Sequence, residues 1–159
     1  MSVEQSGSIT PGNIAVWTTD DVIEDGGQLP GTSEMVLARL LSANMNSTSD
    51  QQINLPIAFT KVALTRILIC NASISLTTAV GGFYPTTSKG GTPIVAASQV
   101  YSSLTAANKL LSATLAAFGS GTAFGTSDLT AWSIYFALTT PQGAAATADI
   151  YICGIPLAP

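Results

Sequence analysis

The 159-residue sequence predicts an all-β protein: a jelly-roll-like antiparallel β-sandwich over residues 34–159, preceded by an extended N-terminal arm over residues 1–33. Three observations predict it. The longest apolar stretches, such as Ile67-Leu68-Ile69-Cys70 and Ile150-Tyr151-Ile152-Cys153, have the length of strands. Gly, Pro, Asn and Ser punctuate the chain at short intervals, as turns between strands require. Trp132, Ile134, Phe136 and Leu138 alternate with Ser133, Tyr135 and Ala137, the period of a half-buried strand.

Taken in order, residues 1–33 form the arm, broken by Pro11-Gly12, Asp25-Gly26-Gly27 and Pro30-Gly31. Between these breaks lie a short strand, Ile14-Ala15-Val16-Trp17, and an apolar pair, Val22-Ile23. So short a segment cannot bury Trp17 by itself. Residues 34–45 are ambiguous. Good helix formers follow a possible Thr32-Ser33 cap, yet the stretch also reads as a long strand without clean alternation, and the β character downstream favours strand. Ile53, Leu55 and Ile57 alternate, with Pro56 marking an edge or a strand end. Val62–Cys70 is rich in branched residues and reads as a strand, and after a turn at Asn71-Ala72 so does Ile74–Thr77. Gly81-Gly82 is expected to break the pattern before a strand beginning at Phe83-Tyr84. Lys89-Gly90-Gly91 is a hairpin-like turn, from which the chain returns through Thr92–Ala97 and Val100-Tyr101. A short helix or turn is expected near Thr105–Lys109, then a strand over Leu110–Ala116, a Gly/Ser/Thr loop over Gly119–Thr126, the alternating strand from Trp132, a turn at Gln142–Ala145 and a closing strand over Ala148–Ile155. Seven to nine strands with frequent turns suit a sandwich, with the jelly roll as its leading form.

Composition bounds the function. Charged residues are 9% of the chain, against about 25% in typical soluble domains. Most of the exterior must then be Ser, Thr, Ala, Gly, Asn and Gln with some apolar side chains, poorly protected against association. Coverage by neighbouring subunits explains such a surface, and a solvated Thr/Ser-rich β-surface is the alternative. The charge is uneven: residues 1–34 hold six acids and no base, −6, and residues 35–159 hold three acids and five bases, +2, in agreement with the net −4. An acidic N-terminal segment and a slightly basic body suit contact between copies. Neither part has the basic stripe that nucleic-acid binding needs, and no apolar run is long enough for a transmembrane helix. The first residues lack the features of a signal peptide, so synthesis in the cytosol is expected. Cys70 and Cys153 each lie in an apolar run and read as buried free thiols, a bridge between adjacent strands being the alternative.

Chemistry finds little to work with. Histidine is absent, so no imidazole can activate a serine or cysteine, and a zinc site has no ligand set. Beyond the acidic N-terminal segment the carboxylates are Asp50, Asp128 and Asp149. A glycosidase-like pair is formally possible, but Asp128 and Asp149 sit where turns and caps use them. Asp20-Asp21 and Glu24-Asp25-Gly26 lack the spacing of a calcium loop and read as a solvated acidic turn. No enzyme, cofactor or metal is expected. Carbohydrate binding would need aromatic platforms; Trp17, Phe83, Tyr84, Tyr101 and Trp132 are the candidates, with Trp132 placed in the core by its strand phase.

Two segments carry a resemblance. Ser8–Trp17 (SITPGNIAVW) followed by Asp21–Gly27 (DVIEDGG) resembles a short N-terminal module of proteins of tailed bacteriophages, and Leu138–Gly154 resembles the end of phage virion proteins. Gly82-Phe83-Tyr84 with Lys89-Gly90-Gly91-Thr92 has similar character, and together these cover about a quarter of the chain. The resemblance implies a virion surface protein, assembled in the host cytoplasm: a capsid decoration (cement) protein, a head fibre or a small tail component. It would bind the major capsid protein and itself, as a homo-oligomer with a trimer favoured. A receptor- or glycan-binding module of a tail or head fibre is the alternative. The expected partner-binding residues are Ile14, Val16, Trp17, Val22 and Ile23 in the arm, with Phe83 and Tyr84 in the body.

Overall fold

The computed structural model describes residues 4–5, 15–17, 22–25, 34–116, 123–125 and 128–158. The chain divides into two compact units, Met1–Ser33 and Glu34–Pro159. The N-terminal unit contributes β1 (Glu4–Gln5), β2 (Ala15–Trp17) and β3 (Val22–Asp25), in the order β1-β3-β2. β1 runs parallel to β3 and β2 antiparallel to it, with Trp17 opposite Ile23. Glu24 and Asp25 therefore belong to a strand, not to the acidic turn expected of them, because Ala15 and Val16 supply them with ladder partners.

The second unit is all-β among its described residues, apart from one 3-10 turn at Thr130–Trp132. Its strands are β4 (Met35–Asn44), β5 (Gln51–Asn54), β6 (Lys61–Cys70), β7 (Val80–Tyr84), β8 (Leu110–Ala113), β9 (Ala123–Gly125), β10 (Ser133–Thr140) and β11 (Thr147–Ala158). They form two antiparallel sheets. The larger runs β4-β11-β6-β8, with β9 on the same edge of β6 as β8. The smaller runs β5-β10-β7 and is extended by the segment 94–100 through bridges Phe83–Val95 and Val80–Val100. Counting that segment as a pass and setting β9 aside, the chain crosses eight times. The sheets contain passes first-eighth-third-sixth and second-seventh-fourth-fifth, which is the double Greek key of a jelly roll.

The two sheets enclose one core. Ile67, Ile69, Ile150 and Ile152 of the large sheet and Ile53, Phe83, Ile134 and Phe136 of the small sheet are all buried in it. Phe136 stands at its centre, with ring centroids 5.0 Å from Phe83 and 6.0 Å, edge-on, from Tyr101.

Two β-bulges explain the missing alternation in residues 34–45. In β4, Ala38 pairs with Ile152 and Val36 with Cys153, so one residue is extra; Ala43 pairs with Ala148 and Leu40 with Ile150, leaving Leu41 and Ser42 against Asp149 alone. A third bulge, at Thr65-Arg66 in β6, faces Cys153–Gly154 in β11. Each bulge resets the phase. Leu37, Leu40 and Ala43 thus point inward at a spacing of three, which imitates a helix in sequence. The upper bulge is held by Asp149. Ser42, at φ 54°, donates its N–H to Oδ1 at 2.8 Å, and Asn71, at φ 52°, donates Nδ2 to Oδ2 at 2.8 Å. Both residues occupy the left-handed region, and the carboxylate stabilises both.

Four further expectations are corrected. Ile74–Thr77 is no strand: it crosses from one sheet to the other, and side-chain bonds replace a ladder there. Gln142 Oε1 accepts from the N–H of Thr78 and Ala79 at 3.2 and 3.3 Å, and Nε2 donates to Ser75 O at 3.1 Å. Gly81-Gly82 lies inside β7, not before it. A Cβ on Gly81 would lie 2.5 Å from Ala137 O, and one on Gly82 2.5 Å from Val95 O, so glycine permits close backbone approach on both edges of the strand. Within the expected loop Gly119–Thr126, Ala123–Gly125 forms β9, because buried Phe124 pairs with Val62. The stretch Thr92–Ala97 pairs only through single bridges. The ambiguous Thr105–Lys109 is a turn, with the Lys109 N–H bonded to Ala106 O at 3.1 Å.

Candidate interaction surface

The outward faces of the two sheets differ. β10, expected to be half-buried, is buried on both faces from Ser133 to Leu138. Ile134, Phe136 and Leu138 face the core; Ser133, Tyr135 and Ala137 face outward and are covered. Pro85 O accepts the Thr130 N–H at 3.0 Å, Thr130 O accepts from Tyr135 Oη at 3.3 Å, and Trp132 Nε1 donates to Pro56 O at 2.9 Å. Ser133 Oγ donates to Asn54 Oδ1 and accepts from Gln52 Nε2, both at 2.9 Å. The segment before β10 thus folds over this face and pairs the Ser133 and Tyr135 hydroxyls.

Among the described residues of the second unit, no hydrogen-bonded segment is laid over the middle of the large sheet. Its register places Arg39, Tyr151, Leu68 and Ser112 in one outward row, and Asp149, Cys70 and Leu110 in the next. Tyr151, Leu68 and Cys70 are only partly buried, and Leu110 is 62% and Leu41 51% exposed. Val36, opposite Cys153, is 53% exposed. These residues lie on one side of the large sheet as an apolar patch interspersed with Arg39, Ser112 and Asp149.

Its charges are sparse and mostly basic. Arg39, Lys61 and Lys109 are exposed and make no ion pair among the described residues. Arg66 is paired with Glu34 through Nε at 2.6 Å and through NH2, while Thr65 Oγ1 donates to the same carboxylate at 2.5 Å. The Arg66 hydrogen bonds, then that of Thr65, hold the Glu34 carboxyl below its ordinary value, and Glu34 in turn raises Arg66. This pair stands over the third bulge beside Cys153. Burial, then Glu34, raises the Cys153 thiol; burial, then Asp149, raises that of Cys70. Both cysteines are free, and their register positions, opposite Arg66 and Asp149 respectively, lie several residues apart along the sheet.

The body carboxylates are occupied. Asp128 Oδ2 accepts the Gly125 N–H at 2.7 Å, Asp50 accepts the Ser88 N–H, and Asp149 holds Ser42 and Asn71. Among the described residues no three His, Cys, Asp or Glu side chains converge on a metal position, and no helix is long and apolar enough to cross a membrane.

Of the expected binding residues, Ile14 lies outside the described residues, and Val16, Trp17, Val22 and Ile23 are placed as backbone positions of β2 and β3. Phe83 and Tyr84 are 0% and 2% exposed, so they pack the body and do not face a partner. The cause is the pair of glycines before them, which draws β7 into the middle of its sheet. Burial, then Asp50, raises the Tyr84 hydroxyl, which has no hydrogen-bond partner among the described residues. Tyr101 and Trp132 are buried too, so neither offers a stacking platform for a sugar. The surface residues that sequence reasoning missed are Val36, Leu41, Leu68, Leu110 and Tyr151. For Val36, Leu41 and Leu68 the signal was hidden by the bulges, since phase across a bulge cannot be counted from sequence alone.

No family model, curated protein or solved structure matches this chain.

Proposed function

We propose that this chain is a structural protein of a tailed-bacteriophage particle, one that decorates and stabilises the capsid through subunit–subunit contacts. Its partners are the major capsid protein and further copies of itself. The observation that carries this reading is the open apolar face of the large sheet in a chain with only 9% charged residues. A monomer that kept such a face in water would be prone to association, and burying it against a neighbour gains about 25 cal/mol per Å² of apolar surface. Repetition on a symmetric lattice then turns modest contacts into durable attachment. The jelly roll suits this role by presenting broad sheet faces, and the resemblance of the N-terminal and C-terminal segments to phage virion proteins points the same way.

The test is co-sedimentation of the full chain with undecorated phage capsids, with Cys70 alkylation as a footprint. Wild type pellets with the capsids, and Cys70, which is partly exposed on the open face, is protected there. Leu110→Asp stays in the supernatant. Failure of the wild type to pellet, or equal pelleting by Leu110→Asp with Cys70 still reactive, rules the reading out.

A further inference from the structure

The open face has a charge as well as an apolar character, and so has the N-terminal segment. Residues 1–33 hold five acids and no base, −5; residues 34–159 hold four acids and five bases, +1. Within the second unit the acids are already engaged: Glu34 by Arg66 and Thr65, and Asp50, Asp128 and Asp149 by backbone N–H groups. Arg39, in the central row of the open face, and Lys109, beside Leu110 at its rim, are exposed and, like Lys61, make no ion pair among the described residues. The two parts of the chain therefore carry opposite charge, and both intersperse it with apolar residues: Val16, Trp17, Val22 and Ile23 in the first, Leu68, Leu110 and Tyr151 in the second.

We infer that the occupant of the open face is a second copy of this chain, which presents its acidic N-terminal segment to Arg39 and Lys109. This rests on the reading of the chain as an assembling structural protein and names the contact by which it assembles. A face that meets a different part of its neighbour is heterologous, so successive copies close into a ring or continue along a lattice. Opposite charges fix which parts meet and speed their encounter, while the apolar residues between them supply most of the stabilisation. Each copy keeps one acidic and one basic surface, so like surfaces repel and face-to-face pairing is disfavoured.

The experiment is sedimentation velocity on the full chain at low and high salt, with a charge swap. Wild type forms oligomers whose dissociation constant rises about tenfold between 0.05 and 0.5 M salt, as screening of exposed charges predicts. Arg39→Glu with Lys109→Glu sediments as a monomer, and so does Asp20→Lys with Asp21→Lys; mixing the two variants restores oligomers. All four positions carry charged side chains, and circular dichroism of each variant establishes that it is folded. A wild type that remains monomeric, an association insensitive to salt, or variants that oligomerise unmixed would each overturn the inference. Capsids decorated by a wild type that stays monomeric in solution overturn it while leaving the decoration reading intact. Salt-sensitive oligomers that never bind capsids support it and overturn the decoration reading.

Discussion

Tyr135 and Tyr151 occupy equivalent places: each sits on the outward side of a central strand, β10 in the small sheet and β11 in the large one. Tyr135 is buried under the segment that precedes its own strand, and its hydroxyl reaches Thr130 O. Tyr151 lies between Arg39 and Leu68 and is only partly buried. The same residue type in the same strand setting thus serves the monomer in one sheet and is left for a neighbour in the other. A sheet face is complete when the chain itself covers it; where the chain does not, the apolar side chains remain available to another molecule.

The largest effect tests that contrast directly. Tyr135→Ala is expected to destabilise the protein by about 3–4 kcal/mol, and Tyr151→Ala by less than about 1 kcal/mol, in urea unfolding at a concentration where the protein is monomeric. Equal losses would mean that the two faces are not different. Next, Gly81→Val drives side-chain atoms into Ala137 O and should cost about 1–3 kcal/mol, because an added Cβ pushes β7 away from β10. Asp149→Ala frees Ser42 and Asn71 from their common acceptor and is expected to cost about 1–2 kcal/mol, loosening the bulge that shapes the edge of the open face; hydrogen exchange at the Ser42 N–H reports it. Leu110→Ser should leave the unfolding free energy within about 0.5 kcal/mol of wild type while weakening assembly, which is the signature of a residue serving the neighbour rather than the fold.

The smallest effect is a pH dependence. The folded protein holds the Glu34 carboxyl below its ordinary value of 4.5, so the pair with Arg66 contributes stability that is fully present above that value and is lost as pH falls through the lower folded one. A wild-type chain should therefore lose stability relative to Glu34→Gln in acid below about pH 4.5 and be the more stable of the two at neutral pH, as thermal melts across the range would reveal. A constant difference at every pH would show that the ion pair contributes nothing to the folded state.

Sequence reasoning read some elements well and others badly, and each case has a physical cause. Val62–Cys70 was legible because branched residues fill it. The strand from Ser133 was legible from its strict period, but not its burial on both faces, since the cover comes from Pro85 and Thr130, elements that its own pattern does not encode. Ile74–Thr77 alternates like a strand and is none, because no ladder partner is placed beside it and Gln142 holds its backbone instead. Phe83 and Tyr84 looked like a surface pair beside a glycine break; the glycines turned out to be points where neighbouring backbones press close.

By itself, the sequence determined the fold class, the two-sheet architecture and the scarcity of charge, since strand-length apolar runs, frequent turns and a side-chain inventory are local properties. The tertiary structure alone decided which side of each sheet is finished. Three bulges reset the phase of β4 and β6 and so select Val36, Leu41 and Leu68 for the outside. One folded-back segment covers Tyr135, and among the described residues none is hydrogen-bonded over Tyr151. Exposure depends on contacts between residues far apart in the chain, and no local pattern of apolar and polar residues can state it.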